Sequence, residues 1–318
     1  MVFFISNLEL TLRGRTYIEP ASEHAALASG ADLDLALDHL ARRADCRALG
    51  VIGALADQPP EASRLAALAG RRVLLADSDR GRVLDYAAQV RLAGAEVEWL
   101  VSSNPTPEEV SAWALPVVAV ILAAGAGTRM GSNKLLLDLG GEPLVTHVVR
   151  AALEGGCDHA LVVHSDPEVA AAVRSRALTV HNPDAASGQA SSLRAGLKAA
   201  PADAAGALIM LGDQPLVGER SVRVLLQAWR REGAPPALAA TYGGPERWLP
   251  PVLVERELWP DLIELSGDAG ARQLFQRRPE LLGTIPVGGG AQDVDTPADY
   301  RRLLRIFSKE GGPGSKGQ

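Results

Sequence analysis

The sequence predicts an α/β fold: a doubly wound, mostly parallel sheet preceded by a smaller α/β domain. Three observations lead there. Short apolar, β-branched runs alternate with segments whose apolar residues recur at helical spacing. Glycine or proline punctuates many of the junctions. The strongest run, Val117 to Leu122, is followed at once by Gly125, Gly127 and Gly131, with Arg129 and Lys134 among them.

Residues 1 to about 30 carry no clear period. Leu33, Leu37, Leu40 and Ala44 have helical spacing, so a helix is expected over Leu33 to Ala44. Ala48 to Leu55 reads as a strand, Glu61 to Ala69 as a helix ended by Gly70, and Arg71 to Ala76 as a strand. A helix over Arg82 to Leu92, closed by Gly94, and a strand over Ala95 to Val101 complete a small parallel unit, residues 1–104. It has no glycine fingerprint after a strand, and Asp77 and Asp79 read as a solvated loop pair. Pro105 and Pro107 mark a linker, 105–116, with a short helix opening at Pro107 behind Thr106.

The larger domain is expected over 117–307. Gly140 to Pro143 reads as a turn, and Leu144 to Leu153 as a helix stopped at Gly155. Strands follow at Ala160 to Val163, Leu178 to Val180 and Ala207 to Leu211, with helices over Pro167 to Ser175, Ser191 to Ala199 and Ser221 to Arg230. Ala237 to Tyr242, Pro251 to Val254 and Thr284 to Val287 are further strands. Leu258 to Leu265, Ala269 to Arg277 and Ala298 to Ile306 are helical, and residues 308–318 form a flexible, disordered tail. In a doubly wound sheet, ligands sit beyond the carboxyl ends of the strands.

The totals narrow the function. The 318 residues are 47% apolar and 22% charged, a soluble globular composition. Net charge is −6, with 11 basic against 16 acidic residues before Pro116 and 21 against 22 from there on. Neither part is basic, which argues against a nucleic-acid partner. Cys46 and Cys157 form no metal or disulfide pattern. The start lacks a basic n-region and no run reaches transmembrane length, so a cytoplasmic protein with no membrane partner is expected.

Glycines directly after a strand let backbone N–H groups approach an anion, and Arg129 and Lys134 add fixed positive charge there. The loop is not a P-loop, because no Gly-Lys-Ser/Thr follows the glycines. Nor is it a dinucleotide fingerprint, since Met130 stands at the third glycine position. A nucleotide polyphosphate is the expected ligand. Asp213, closing the strand Ala207 to Leu211 in LGDQP, is placed as a magnesium ligand would be. Asp293 and Asp295 in DVDTP share one side of the chain; Asp295 or Thr296 also caps the helix that starts at Pro297.

The stretch LAAGAGTRMGSNKLLL resembles the signature loop of the MobA-like nucleotidyltransferases, within the Rossmann-like nucleotidyltransferase group, and above all the molybdenum cofactor cytidylyltransferases (MocA type). The resemblance runs from about Val117 to Ile306. It implies nucleotide contacts from Leu122, Ala123, Ala124, Gly125, Gly127, Arg129 and Lys134. Further nucleotide contacts are implied from Asn182, Ser187, Gly188 and Ser192 in NPDAASGQASSLRAG. It implies Arg129, Lys134 and Asp213 as catalytic residues, and Mg²⁺ on Asp213 with a carboxylate of the Asp293/Asp295 pair. Ala124 makes LAAG, which in that family goes with CTP, whereas LAGG goes with GTP. The segment from Leu265 to Arg272 resembles one that helps bind a pterin-bearing substrate; Asp268 also reads as a plain helix cap. One departure stands out: where the family usually carries a Gly-His-Pro element, the matching stretch reads Arg247-Trp248-Leu249-Pro250-Pro251, with no histidine.

The implied reaction moves CMP from CTP to the terminal phosphate of the molybdenum–pterin cofactor and releases pyrophosphate. A molybdoenzyme or its chaperone is the implied protein partner. CMP transfer to another phosphorylated alcohol, a MobA-like oxidoreductase and a non-catalytic cofactor-binding chaperone are the alternatives. His147, His164 and His181 read as structural.

Overall fold

In this computed structural model the described residues are 3–4, 10–12, 15–17, 25–29, 48–52, 62–69, 72–77, 80–101, 116–125, 133–202, 204–230, 234–242, 248–290 and 292–310. The chain divides into two units, residues 1–115 with 230–232, and residues 116–229 with 233–318.

In the first unit, strands Phe3–Phe4, Ala25–Ser29, Ala48–Ile52, Arg72–Asp77 and Glu96–Val101 form one sheet in that order. The last four run parallel, as the alternation predicts. The helix before the last strand is Arg80–Leu92. Strand Ala25–Ser29 and a small pair, Leu10–Leu12 with Arg15–Tyr17, fall where the sequence shows no period. Strands of three to five residues are too short to reveal one. The helix expected over Leu33 to Ala44, the linker helix and residues 311–318 lie outside the described residues.

The second unit carries a seven-stranded sheet. Its elements are β1 (Val117–Ala123), β2 (Asp138–Leu139), β3 (Glu142–Pro143), α1 (Leu144–Glu154), β4 (His159–His164), α2 (Pro167–Val173), β5 (Leu178–His181), α3 (Gln189–Ala199) and β6 (Gly206–Leu211). Then come α4 (Glu219–Trp229), β7 (Ala237–Thr241), β8 (Trp248–Glu255), α5 (Trp259–Ile263), α6 (Arg272–Arg277), β9 (Leu282–Pro286) and α7 (Pro297–Glu310). The sheet order is β5-β4-β1-β6-β8-β7-β9. β8 runs antiparallel to both of its neighbours; the other pairs are parallel.

β1 sits inside the sheet between β4 and β6, and Val117 to Ile121 have no exposed surface. That explains its unbroken apolar run, because both faces are covered. α3 and α5 share one core with Val118, Val120, Leu161 and Val163. Leu144 and Val148 of α1 and Val222 and Leu225 of α4 are buried outside that cluster, and α1 packs on α4. Helices therefore cover both faces. Gly196 is what lets α3 lie so close: a Cβ there would stand 3.0 Å from Val163 Cγ2, tighter than ordinary contact.

Three elements differ from expectation. The turn at Gly140 to Pro143 is the tip of a hairpin in which Glu142 and Pro143 pair with Leu139 and Asp138. β8 begins three residues before Pro251, because Trp248 and Leu249 find partners in Thr241 and Ala240 of β7. The last helix runs through Glu310, into the stretch where a flexible tail is expected.

Candidate active site

Parallel register brings the carboxyl ends of three strands level. Leu122 of β1 lies opposite Leu211 of β6, and Ala123 lies opposite His164 of β4. Beyond these ends opens a cavity of about 430 Å³. Leu122, Ala123, Ala124 and Gly125 form one wall. Lys134, Leu135, Leu211 and Asp213 form a second, and Ala185, Ala186, Gly188, Gln189, Ser192 and Asp268 close the rest.

Lys134 opens a single 3₁₀ turn, Lys134–Leu136, capped by Asn133, whose Oδ1 accepts from Leu135 N at 3.1 Å. Its ammonium donates to Asp213 Oδ2 at 2.6 Å and to Asp295 Oδ1 at 2.7 Å. Partial burial pulls the lysine's pKa down. The charges and hydrogen bonds of Asp213, and after them Asp295, outweigh that, and it ends above its ordinary value. Asp213 is fixed by backbone on both sides: Gly212 N donates to Leu122 O at 2.9 Å, and Val294 N donates to Asp213 O at 3.2 Å. The second bond ties the 293–295 segment to the end of β6.

Val294 is buried and its neighbours Asp293 and Asp295 are exposed, which is the expected alternation. The two carboxylates nevertheless do different things. Asp295 reaches Lys134. Asp293 accepts from Gln214 Nε2 at 2.7 Å. Desolvation raises the Asp293 pKa first, and the charges of Asp213 and Asp295 add to it; the Gln214 bond and Lys134 work against the rise. The helix cap falls to Thr296: its Oγ1 accepts from Asp299 N at 3.2 Å, while Asp299 Oδ2 accepts from Thr296 N at 2.9 Å. The Asp295 carboxylate is thereby left for the site.

On the far wall Asn182 is buried, at 3% exposure, and does not line the cavity. Its Nδ2 donates to Ser191 Oγ and Ser192 Oγ at 2.9 and 3.0 Å, so it fixes the start of α3. Ser187 also stays off the cavity and donates to Asp184 O at 2.7 Å. Gly188 and Ser192 do line it. Gly188 has φ +111°, and a Cβ on it would meet Gly267 C at 2.5 Å and Asp268 Oδ1 at 2.6 Å. Only glycine lets the two segments come this close. Asp268 makes no helix-capping bond: α6 is capped at Ala271 without a side chain.

Gly127 and Arg129 lie outside the described residues, as does the rest of 126–132. Of the remaining expected residues, Leu122, Ala123, Ala124, Gly125, Lys134, Gly188, Ser192 and Asp213 converge on one cavity, with Asp295 reaching Lys134. Sequence reasoning did not find Leu135, Ala185, Ala186, Gln189 or Leu211. Gln189 carried a weak signal as the first residue of α3. The others are apolar and carried none. His147 bonds Leu139 O at 2.7 Å, and the ring of His164 lies 5.6 Å from that of His181; none of the three lines the cavity.

The donor set fits a divalent ion. Asp213 and Asp295 already converge on one cation, the Lys134 ammonium. Among the described residues no three acidic, histidine or cysteine side chains gather closely enough to hold a metal unaided. A divalent ion held by one or two carboxylates would complete its shell with phosphate and water. No helix among the described residues is long and apolar enough to cross a membrane.

The MobA-like NTP transferase domain family matches residues 119–281. The purine catabolism protein PucB of Bacillus subtilis is 31% identical over 209 residues, which are 60% of this chain and 98% of PucB. The bifunctional protein GlmU of Rhodococcus opacus is 36% identical over 139 residues, 40% of this chain but 28% of GlmU. Among solved structures, that of Rv0371c from Mycobacterium tuberculosis is similar with a TM-score of 0.51 and 28% identity, over 60% of this chain and 98% of that one.

Proposed function

The chain belongs to the MobA-like NTP transferase domain family and is a nucleotidyltransferase, and from that premise we propose that it transfers CMP from CTP to the terminal phosphate of a molybdenum–pterin cofactor. The observation that supports a phosphate-transfer site here is the Lys134 ammonium, in the wall of the cavity, held between Asp213 and Asp295. An oxygen of the acceptor phosphate attacks the α-phosphorus, the bond to the bridging oxygen of the β-phosphate breaks, and pyrophosphate leaves. The nucleophile is ionised near neutrality, so no general base is needed, and the rate comes from positioning and charge neutralisation.

In this reading Asp213 and Asp295 hold Mg²⁺, which when bound supplies electrostatic neutralisation of the reacting phosphates. Lys134 faces the α-phosphate and Arg129 takes the β- and γ-phosphates. Asp293 acts through Gln214, orienting the segment that carries Asp295. Ala123, Ala124 and Gly125 place backbone against the base, and the small Ala124 favours CTP.

A second acceptor, another phosphorylated alcohol, is favoured by the departure at Trp248. Its ring stands at the start of β8, with the Arg272 guanidinium 5.4 Å from its centre and Phe275 edge-on at 6.0 Å. Incubation with each of the four NTPs, Mg²⁺ and the pterin cofactor, with pyrophosphate measured, tests the proposal. CTP should be fastest. Faster release with GTP would overturn the base assignment, and release only with another phosphorylated acceptor would favour the second reading.

A further inference from the structure

The β4–α2 corner touches the chain on both sides of the glycine-rich loop. Ser165 Oγ donates to Ala124 O at 3.2 Å, where the chain leaves β1. Asn133 Nδ2 donates to Asp166 Oδ2 at 2.8 Å, where the chain enters the turn that carries Lys134. Ser165 and Asp166 are consecutive, so one short corner holds both ends of that stretch.

The Asn133–Asp166 pair leaves none of its polar atoms idle. Asn133 Oδ1 accepts from Leu135 N at 3.1 Å, fixing the 3₁₀ turn, while its Nδ2 goes to Asp166. Asp166 Oδ1 accepts from Glu168 N at 2.9 Å as the cap of α2, which leaves Oδ2 for Asn133. A three-residue turn has little stability of its own. Leu135, 3% exposed, anchors it from inside, and the side chain of Asn133 anchors it to the start of α2.

We propose that Ser165 and Asp166 form a clamp across the ends of the phosphate loop, in which Asn133 and Asp166 are positioning residues that set where the Lys134 ammonium stands against the nucleotide triphosphate. This rests on the reading of Lys134 given above. Neither residue lines the cavity, and both act through the turn.

Exchanging the two residues separates a clamp from a need for particular residues. Asn133→Asp alone sets two carboxylates against each other. Asp166→Asn alone sets two amides against each other but keeps the α2 cap, because Asn caps as well as Asp. In the double variant the carboxylate placed at position 133 accepts from Leu135 N and from the amide placed at position 166. That amide's oxygen still caps α2, and the net charge is unchanged. Pyrophosphate release from CTP is measured with Mg²⁺ and the pterin cofactor on the full chain, well below the unfolding midpoint. Each single variant should lose about ten- to a hundredfold in kcat, the scale of an ångström of misplacement. KM for CTP should stay within about threefold and the unfolding midpoint within a few degrees, and the double variant should return to within about threefold of the parent. Single variants at parental kcat, or a double no better than the worse single, overturn the clamp. Lys134→Ala is measured alongside. If it keeps parental activity, the reading of Lys134 falls and the clamp with it; if it is inactive while the exchange fails to rescue, the clamp alone falls.

Discussion

Lys134→Ala removes an ammonium that lies 2.6 Å from Asp213 and 2.7 Å from Asp295. The Asp213 side chain is 19% exposed, so that contact counts as a charged hydrogen bond worth about 1.5–3 kcal/mol. The Asp295 side chain is 51% exposed, and solvent screening leaves that pair about 0.2–1 kcal/mol. Loss of both should lower the unfolding midpoint of the metal-free protein by about 3–16 °C, at about 2–4 °C per kcal/mol for a unit of this size. The loss in catalysis should be larger, about 10²–10³ in kcat/KM, as for other donors aimed at developing charge. A third readout tests the metal assignment. With the internal cation gone, Asp213 and Asp295 should take up Mn²⁺ or Mg²⁺ more tightly in calorimetry without nucleotide. Pyrophosphate release within about threefold of the parent would refute a role for Lys134 in the reaction. Weaker metal binding by the variant would refute the idea that the lysine and the metal compete for the same carboxylates. Retained cofactor binding with lost pyrophosphate release would separate an enzyme from a carrier.

The remaining predictions are narrower. Asp295→Asn should lose about a hundredfold in kcat/KM with Mg²⁺, whereas Asp293→Asn should lose less than about tenfold, because Asn Oδ1 still accepts from Gln214. The Asp293 carboxyl is raised in the folded state, so the stability it contributes is full below the ordinary carboxylate range and is lost as pH rises through its folded pKa. Asp293→Asn should therefore match the parent near pH 3 and unfold at a higher temperature at pH 7; an equal midpoint at pH 7 counts against a carboxyl raised by burial and, after it, by the charges of Asp213 and Asp295. Gly188→Ala forces a Cβ to within 2.6 Å of Gly267 and Asp268 at φ +111°, and denaturant titration should show a loss of about 1–3 kcal/mol. Ala124→Gly opens the wall beside the base, and the ratio of CTP to GTP turnover should fall; an unchanged ratio would remove Ala124 from base selection.

The elements that are legible in the sequence are those whose burial imposes a pattern. β1 is covered on both faces and reads as an unbroken apolar run, and Asp213 is visible because it closes a second such run, β6. The resemblance implies that Lys134, Asp213 and a carboxylate of the Asp293/Asp295 pair share one site, but the hydrogen bonds of Lys134 to Asp213 and Asp295, across 79 and 161 positions of chain, are legible in neither the resemblance nor the periodicity. The resemblance implies a nucleotide contact from Asn182, yet this residue is 3% exposed and spends its amide on Ser191 and Ser192. Buried polar groups need partners, and a loop is often its own best supplier. Asp293 and Asp295 could not be told apart by alternation, which puts both outward; Gln214, on another element, separates them.

On the wall opposite Lys134 the sequence points to Gly188, Ser192 and the Leu265–Arg272 segment through the resemblance, but not to how they meet. Asp268 enters the cavity because Gly267 and Gly270 bring their segment against Gly188 and Gln189, a contact between glycines that no spacing rule reports. The same approach explains why the cavity has two chemical characters. One wall is a cation between carboxylates, mounted on the end of β6 and on a clamped turn, and suits phosphate and metal. The other offers Ser192, Gln189 and Asp268 from the start of α3 and from a loop far along the chain, and suits the polar edge of a base or an acceptor. The first wall is tied to the end of β6, and the second rests on glycine contacts between loops.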